Sequence, residues 1–218
     1  MAPNIIDVVQ SLPREPNNRN WRTRPVGAIT RIVVHYDAEY VPPQDIHGEY
    51  GYDPLTRYIE QARYHIRKNW NEGPGPAVRG FGLMYHYRVS ADGRIWRTQP
   101  DDLVTWYARA ANYRGLAVCA DLGPGQRPTE EQLVSLHDLL DHLCYHRPDF
   151  PASRPDVYGH GELQRDGNHT PCPGMLLDWV KAYRQTPRKA RAASLPIEPI
   201  GSAPEAAIGL RMTLSSSS

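Results

Sequence analysis

The run from Ala28 to Tyr36, AITRIVVHY, limits what this chain can fold into more than any other segment. Ile29, Thr30, Ile32, Val33 and Val34 are β-branched, which disfavours a helix and suits a strand. The short apolar core of the run, with no helical period, reads as a buried strand. A buried strand needs strands beside it and other elements over it. The rest of the chain supplies both.

Residues 54–69 place Leu55, Tyr58, Ile59, Ala62 and Ile66 at helical spacing. LMYHYRV and RIWRTQ flank SADG, where Asp92-Gly93 has tight-turn chemistry, so two strands joined by a hairpin are predicted. Gly115 to Leu122 reads as another strand. Thr129 and Gln132 form a capping-box signature. Behind it Leu133, Leu136, Leu139, Leu140 and Leu143 make the inner stripe of a helix that runs to about His146. Asp156 to Gly159 is a short strand, and Met175 to Arg184 is a last helix after Pro173-Gly174. The alternation predicts an α/β single domain, a mixed central β-sheet flanked by α-helices.

The ends differ from this middle. Residues 1–25 are polar and rich in Pro and Asn, and read as an extension that wraps the surface. Residues 26–186 carry the domain pattern. Residues 187–218 continue a basic run and then turn Pro/Ala/Ser-rich, with little apolar surface to bury, which reads as a tail. Within it AAIGLRMTL has the composition of a short edge strand. The 218 residues suit one well-buried core. The net charge of +1 argues against a nucleic-acid binder. That average hides a division, because residues 181–191 hold five basic residues and no acid while the first 180 are slightly acidic. A basic run is most often a solvated face, and its functional reading is attraction to an anionic envelope. No run of 18 apolar residues is present, and the N-terminus lacks the charged and apolar regions of a signal peptide.

Three cysteines are too few for a disulfide scaffold. Cys119 lies in an apolar strand and Cys144 near the leucine stripe, so both read as buried thiols. Cys172, in NHTPCPG, stands with His35 and His160 at the ends of elements, where an α/β scaffold presents functional groups. Two imidazoles, one thiolate and an open position are a catalytic zinc arrangement. No CxxC or HExxH motif accompanies them, so on spacing alone a satisfied strand-end histidine is the favoured reading of His35. His86 follows Tyr85 and by strand alternation faces the other side of the sheet, in a structural role. His137, His142 and His146 lie on the long helix. His47, His65 and His169 lie near the loops around the site, with His169 the spare ligand.

IVVHYDA, LMYHYRVSADGRIW, TWYARAANYRGLAVCADLG, PTEEQLVSLHDLL, VYGHGEL and HTPCPG occur in this order. Together they resemble the type 2 N-acetylmuramoyl-L-alanine amidases, a family that includes amidase-type phage lysozymes and peptidoglycan recognition proteins. The resemblance spans roughly residues 28–184. It implies a Zn2+ cofactor on His35, His160 and Cys172, a catalytic Tyr85, and a second catalytic polar group at Thr170. It implies substrate contacts at Trp106, Tyr107, Asn112 and Glu162, and the last could equally cap its loop. Many members carry Trp-His-Ala where this chain has Trp106-Tyr107-Ala108, which puts proton transfer at position 107 in doubt. Residues 39–80 are long for the family, and Tyr50, Tyr52 and Trp70 suit stacking on sugar or peptide.

The implied function is hydrolysis of the amide between N-acetylmuramic acid and L-alanine in bacterial peptidoglycan, as in a phage endolysin. The alternative is a non-catalytic peptidoglycan-binding module of the same fold. A monomer is expected, with no nucleic-acid partner and no membrane span. It would sit in the host cytoplasm before release and act on the cell wall.

Overall fold

The computed structural model describes residues 2–37, 39, 41, 53–70, 74–150, 155–166 and 169–186. Chain contacts divide the protein into Met1–Pro187 and Arg188–Ser218. The second unit lies outside the described residues, as do Tyr50, Tyr52 and the AAIGLRMTL segment.

Six strands form one sheet: β1 Ile5–Asp7, β2 Arg31–Tyr36, β3 Tyr87–Val89, β4 Ile95–Arg97, β5 Gly115–Ala120 and β6 Asp156–Gly159. Their spatial order is β1-β4-β3-β5-β2-β6. β3 and β4 are antiparallel, and the other pairs are parallel. The predicted mixed sheet is therefore present. Gly93, at φ 79°, supplies the left-handed residue that lets β3 turn back into β4. β1 was not expected. The segment read as a surface wrap starts by adding this edge strand along β4. It then crosses the surface, where the Asn18 amide donates to the Gly80 carbonyl (3.0 Å).

Among the described residues three α-helices cover the sheet: α1 Pro54–Arg67, α2 Glu130–Tyr145 and α3 Leu176–Gln185. α1 begins where Asp53 accepts from the Thr56 N–H (2.9 Å), with Pro54 in the first turn. α2 begins where the Thr129 hydroxyl accepts from the Gln132 N–H (3.0 Å). Leu136, Leu139, Leu140 and Leu143 of α2 and Leu176, Val180 and Tyr183 of α3 are fully buried against Ile32, Val34, Val118 and Val89. Each buried leucine contributes about 2 kcal/mol by removal from water.

α1 lies over the other face. Tyr58 and Ala62 pack with Val8, Leu12, Leu83 and Trp96, and Leu55 and Ile59 lean on the same cluster. Alternation along β2 explains the division. Ile32, Val34 and Tyr36 face α2 and α3, while Val33 and His35 face the opposite side. That second face carries the functional groups. The Cα register aligns His35 with Cys119, Cys119 with Arg88, and Arg88 with Trp96 across four strands.

Candidate metal centre and groove

His35 is the fifth residue of β2, and nearly all of its side chain is buried. His160 follows β6 directly and opens a 3-10 segment, His160–Asp166. Cys172 sits in the turn before α3. Strands β2 and β6 are neighbours, so two of the three groups come from adjacent strand ends. The third arrives through a backbone contact, in which the Gly161 N–H donates to the Cys172 carbonyl (2.6 Å). A side chain at 161 would put its Cβ 2.7 Å from the Thr170 carbonyl oxygen, so only glycine permits this approach.

The result is one cluster. One ligand atom from each of His35, His160 and Cys172 lies within 4.8 Å of the others. The two imidazole rings are 4.5 Å apart, and Cys172 Sγ is 3.6 Å from His35 Nδ1. Sγ also accepts from the Tyr36 N–H (3.4 Å). Burial, then the neighbouring His160, holds His35 well below the usual imidazole range, so its ring is neutral. Its Nε2 is buried with no hydrogen-bond partner among the described residues. Burial pushes the Cys172 thiol up to about 12.

These observations fit a soft divalent metal. The neutral imidazole of His35 offers a lone pair. A thiol in such a place gives up its proton only to a coordinated cation. The set has no carboxylate, which favours zinc over magnesium or calcium. A buried nitrogen without a partner is costly unless something completes it.

A groove of 1120 Å³ opens beside the cluster. His35, His160, Cys172, Thr170, Tyr85, Trp106 and Tyr107 form one end. Arg57, Glu60, Gln61, Tyr64 and His65 of α1 form the long wall, with Lys68 and Trp70 beyond them. The Tyr85 ring lies 5.3 Å from the His35 ring. Its phenol is held well above 10, chiefly by burial, so it stays protonated and can donate. The Thr170 hydroxyl accepts from the Cys172 N–H (3.2 Å) and keeps its proton to give.

The remaining expected residues divide. Trp106 lines the groove and packs edge-on against Phe81 at 5.6 Å. The Tyr107 ring stands edge-on to His35 at 5.3 Å, but its hydroxyl points inward. A Cβ at Gly115 would lie 2.0 Å from that oxygen. The hydroxyl is buried without a partner among the described residues, so position 107 presents a ring face to the site and no acid or base. Asn112 does not reach the groove. Its side-chain oxygen accepts from the Ala108 N–H (2.7 Å) and holds the Trp106-Tyr107-Ala108 turn. Glu162 also stands behind the site, accepting from the Gly159 N–H (2.8 Å) and pairing with Arg184 (2.8 Å). Of its two sequence readings, loop capping matches this placement.

His86 differs from expectation in its direction. Tyr107 packs edge-on against both His35 and His86, so His86 lies beneath the site and not across the sheet. His86 keeps the alternation of β3 and shares the face of Arg88, whereas Tyr85, which precedes the strand, departs from it and comes to the same side. The structural role holds: Nδ1 accepts from the Ala117 N–H (3.0 Å), and Nε2 bonds the Leu103 carbonyl (2.8 Å). Cys119 and Cys144 are buried thiols outside any disulfide, as expected. His169 is exposed and outside the cluster. The α1 wall and the Asp37–Arg88 pair beneath it were missed. A charged residue in the strand run LMYHYRV was the available signal for Arg88.

A family model described as N-acetylmuramoyl-L-alanine amidase matches residues 24–175. No curated protein matches the chain significantly. Solved structures share the fold. The endolysin N-acetylmuramoyl-L-alanine amidase LysCS from Clostridium intestinale is 22% identical, covering 84% of this chain and 95% of that one, with a TM-score of 0.53. The Ph2119 endolysin from a Thermus scotoductus bacteriophage is 21% identical, covering 84% and 100%, with a TM-score of 0.53. Peptidoglycan recognition protein LE, solved with monomeric diaminopimelic acid-type peptidoglycan, is 17% identical, covering 82% and 92%, with a TM-score of 0.58. With a match over more than two thirds of its length, the chain belongs to the N-acetylmuramoyl-L-alanine amidase family.

Proposed function

We propose that this protein is a zinc-dependent hydrolase of the amide between N-acetylmuramic acid and L-alanine in bacterial peptidoglycan, working as a wall-lytic enzyme of the endolysin kind. The observation that carries the reading is the incomplete donor set. Two imidazoles and a buried thiol converge within 4.8 Å at the end of an open groove, and one ring nitrogen of His35 has no partner among the described residues.

His35, His160 and Cys172 would hold the ion and leave a position facing the groove. When bound, zinc supplies a Lewis acid for the amide carbonyl and for the attacking water. The chain's own groups do the rest. Tyr85, protonated and against His35, donates a hydrogen bond to the oxygen on which negative charge develops. Thr170 donates a second one from the loop that carries Cys172. Trp106 and the Tyr107 ring close the end of the groove. The wall built by α1 takes the substrate's extension. Residues 26–186 form the catalytic domain, the 1–25 extension builds onto it through β1, and 187–218 act as a tail. The protein works as a monomer, and it reaches the wall from the host cytoplasm after release.

The test is digestion of purified sacculi. The expected result is release of free L-alanine amino groups, abolished by a chelator and restored by zinc. Binding to sacculi without new amines would instead make the chain a peptidoglycan-binding module.

A further inference from the structure

We propose that Arg88 is a positioning residue for the reaction: it holds the α1 wall and the Tyr85 ring in place relative to His35 without touching substrate. The inference rests on the amidase reading above. It starts from an anomaly. Arg88 is fully buried in β3, on the row and face of the sheet that carry His35. A buried ion pair adds little net stability compared with apolar residues of the same volume. What it does supply is directional bonding.

The bonds of Arg88 run to two places at once. On the sheet side its Nε donates to Asp121 (2.7 Å), and its guanidinium also pairs with Asp37, two residues after His35. On the helix side it donates to Gln61 of α1. The same two carboxylates take further α1 groups. Asp37 accepts from Gln61 (3.1 Å) and Arg57 (3.1 Å), and Asp121 accepts from the Tyr58 hydroxyl (2.6 Å). Three α1 side chains, spanning one turn, are thus tied to two strand ends, Gln61 through the guanidinium as well as Asp37, and Arg57 and Tyr58 through the carboxylates it holds. The planar fork fixes directions that a lysine would leave free.

Its flat faces extend the reach. The guanidinium carbon lies 4.6 Å from the Tyr58 ring centre and 5.6 Å from that of Tyr85. Tyr58 belongs to the wall helix, and Tyr85 is the proposed donor to the developing oxyanion. One residue therefore spaces the groove's long wall from its reacting end. A shift of about 1 Å at such a distance can cost a hundredfold in rate.

The experiment compares Arg88→Lys and Arg88→Met with the wild-type enzyme on two substrates. One is N-acetylmuramoyl-L-alanine alone, and the other carries a full stem peptide. Zinc content and circular dichroism are measured alongside. The expected result is full zinc, a tenfold or greater loss of kcat on both substrates, and an added rise of KM on the long one. Arg88→Lys should not rescue, since it keeps the charge but loses the fork. If either variant loses its fold, Gln61→Leu removes one arm of the tie from a half-buried position, and the same KM rise is expected. Folded, zinc-loaded variants with kinetics within twofold of wild type on both substrates would overturn the inference. An inactive wild-type protein would overturn the amidase reading instead.

Discussion

Two buried polar clusters share one row of the sheet, and they differ in completeness. Around Arg88, every charge has a partner of opposite sign inside the protein, and Gln61 and Tyr58 use the remaining positions. Two strands away, His35 has a buried nitrogen with no partner, and Cys172 has a thiol that burial keeps protonated. Both clusters carry the cost of desolvation. One repays it within the chain. The other does not. A satisfied buried network is scaffold, and an unsatisfied one is a place for a ligand.

The sharpest way to break this contrast is to remove a donor from the incomplete set. Cys172→Ala should lower bound zinc below a tenth of an equivalent and turnover by about 1000-fold, with unchanged circular dichroism. Equal zinc in both proteins, measured by atomic absorption, would place the metal elsewhere. The matching change in the complete set should act on folding. Asp121→Asn leaves Arg88 with one carboxylate and should cost about 3 kcal/mol in urea unfolding, while zinc stays bound. A loss under about 1 kcal/mol would mean the cluster is not closed as described.

Tyr85→Phe should lower kcat by about 100-fold, with zinc content and KM nearly unchanged. An intact kcat would shift the oxyanion contact to Thr170. The smallest effect is on pH dependence. Burial, then Arg24, lowers His86 to about 3 from the usual 6.5. The unfolded chain therefore takes up the proton first as pH falls. The contribution of His86 is full above about pH 6.5 and declines as pH falls toward 3. Urea midpoints measured across that range should slope downward, and His86→Gln should flatten part of the slope.

Much of this molecule can be read from its residues, and the limit is set by distance along the chain. The strand, the Thr129 cap and the leucine stripe of α2 follow local rules; the cap and stripe stand where expected, and the strand, expected from Ala28, begins at Arg31 after a 3-10 turn at Val26–Ala28. His35, His160 and Cys172 were legible through ordered motifs, each at the end of an element. Other features have no local signature. β1 is three residues long, and only pairing with β4 makes it a strand. The cluster of Asp37, Gln61, Arg88 and Asp121 joins positions separated by up to 84 residues, and nothing around any one of them announces the others. The inward turn of the Tyr107 hydroxyl depends on space left by Gly115, a partner on another element. Local chemistry dictates elements and caps, whereas polar networks across elements need the fold.

The short contact between the Gly161 N–H and the Cys172 carbonyl has a consequence for how the protein matures. It is a main-chain bond, and it sets the spacing of His160 and Cys172 before any ion arrives. Their loops are seated by Glu162, Arg184 and the core beneath α3, none of which depends on the metal. The spacing is therefore set as the chain folds, and any side chain at 161 would widen it without touching either functional group.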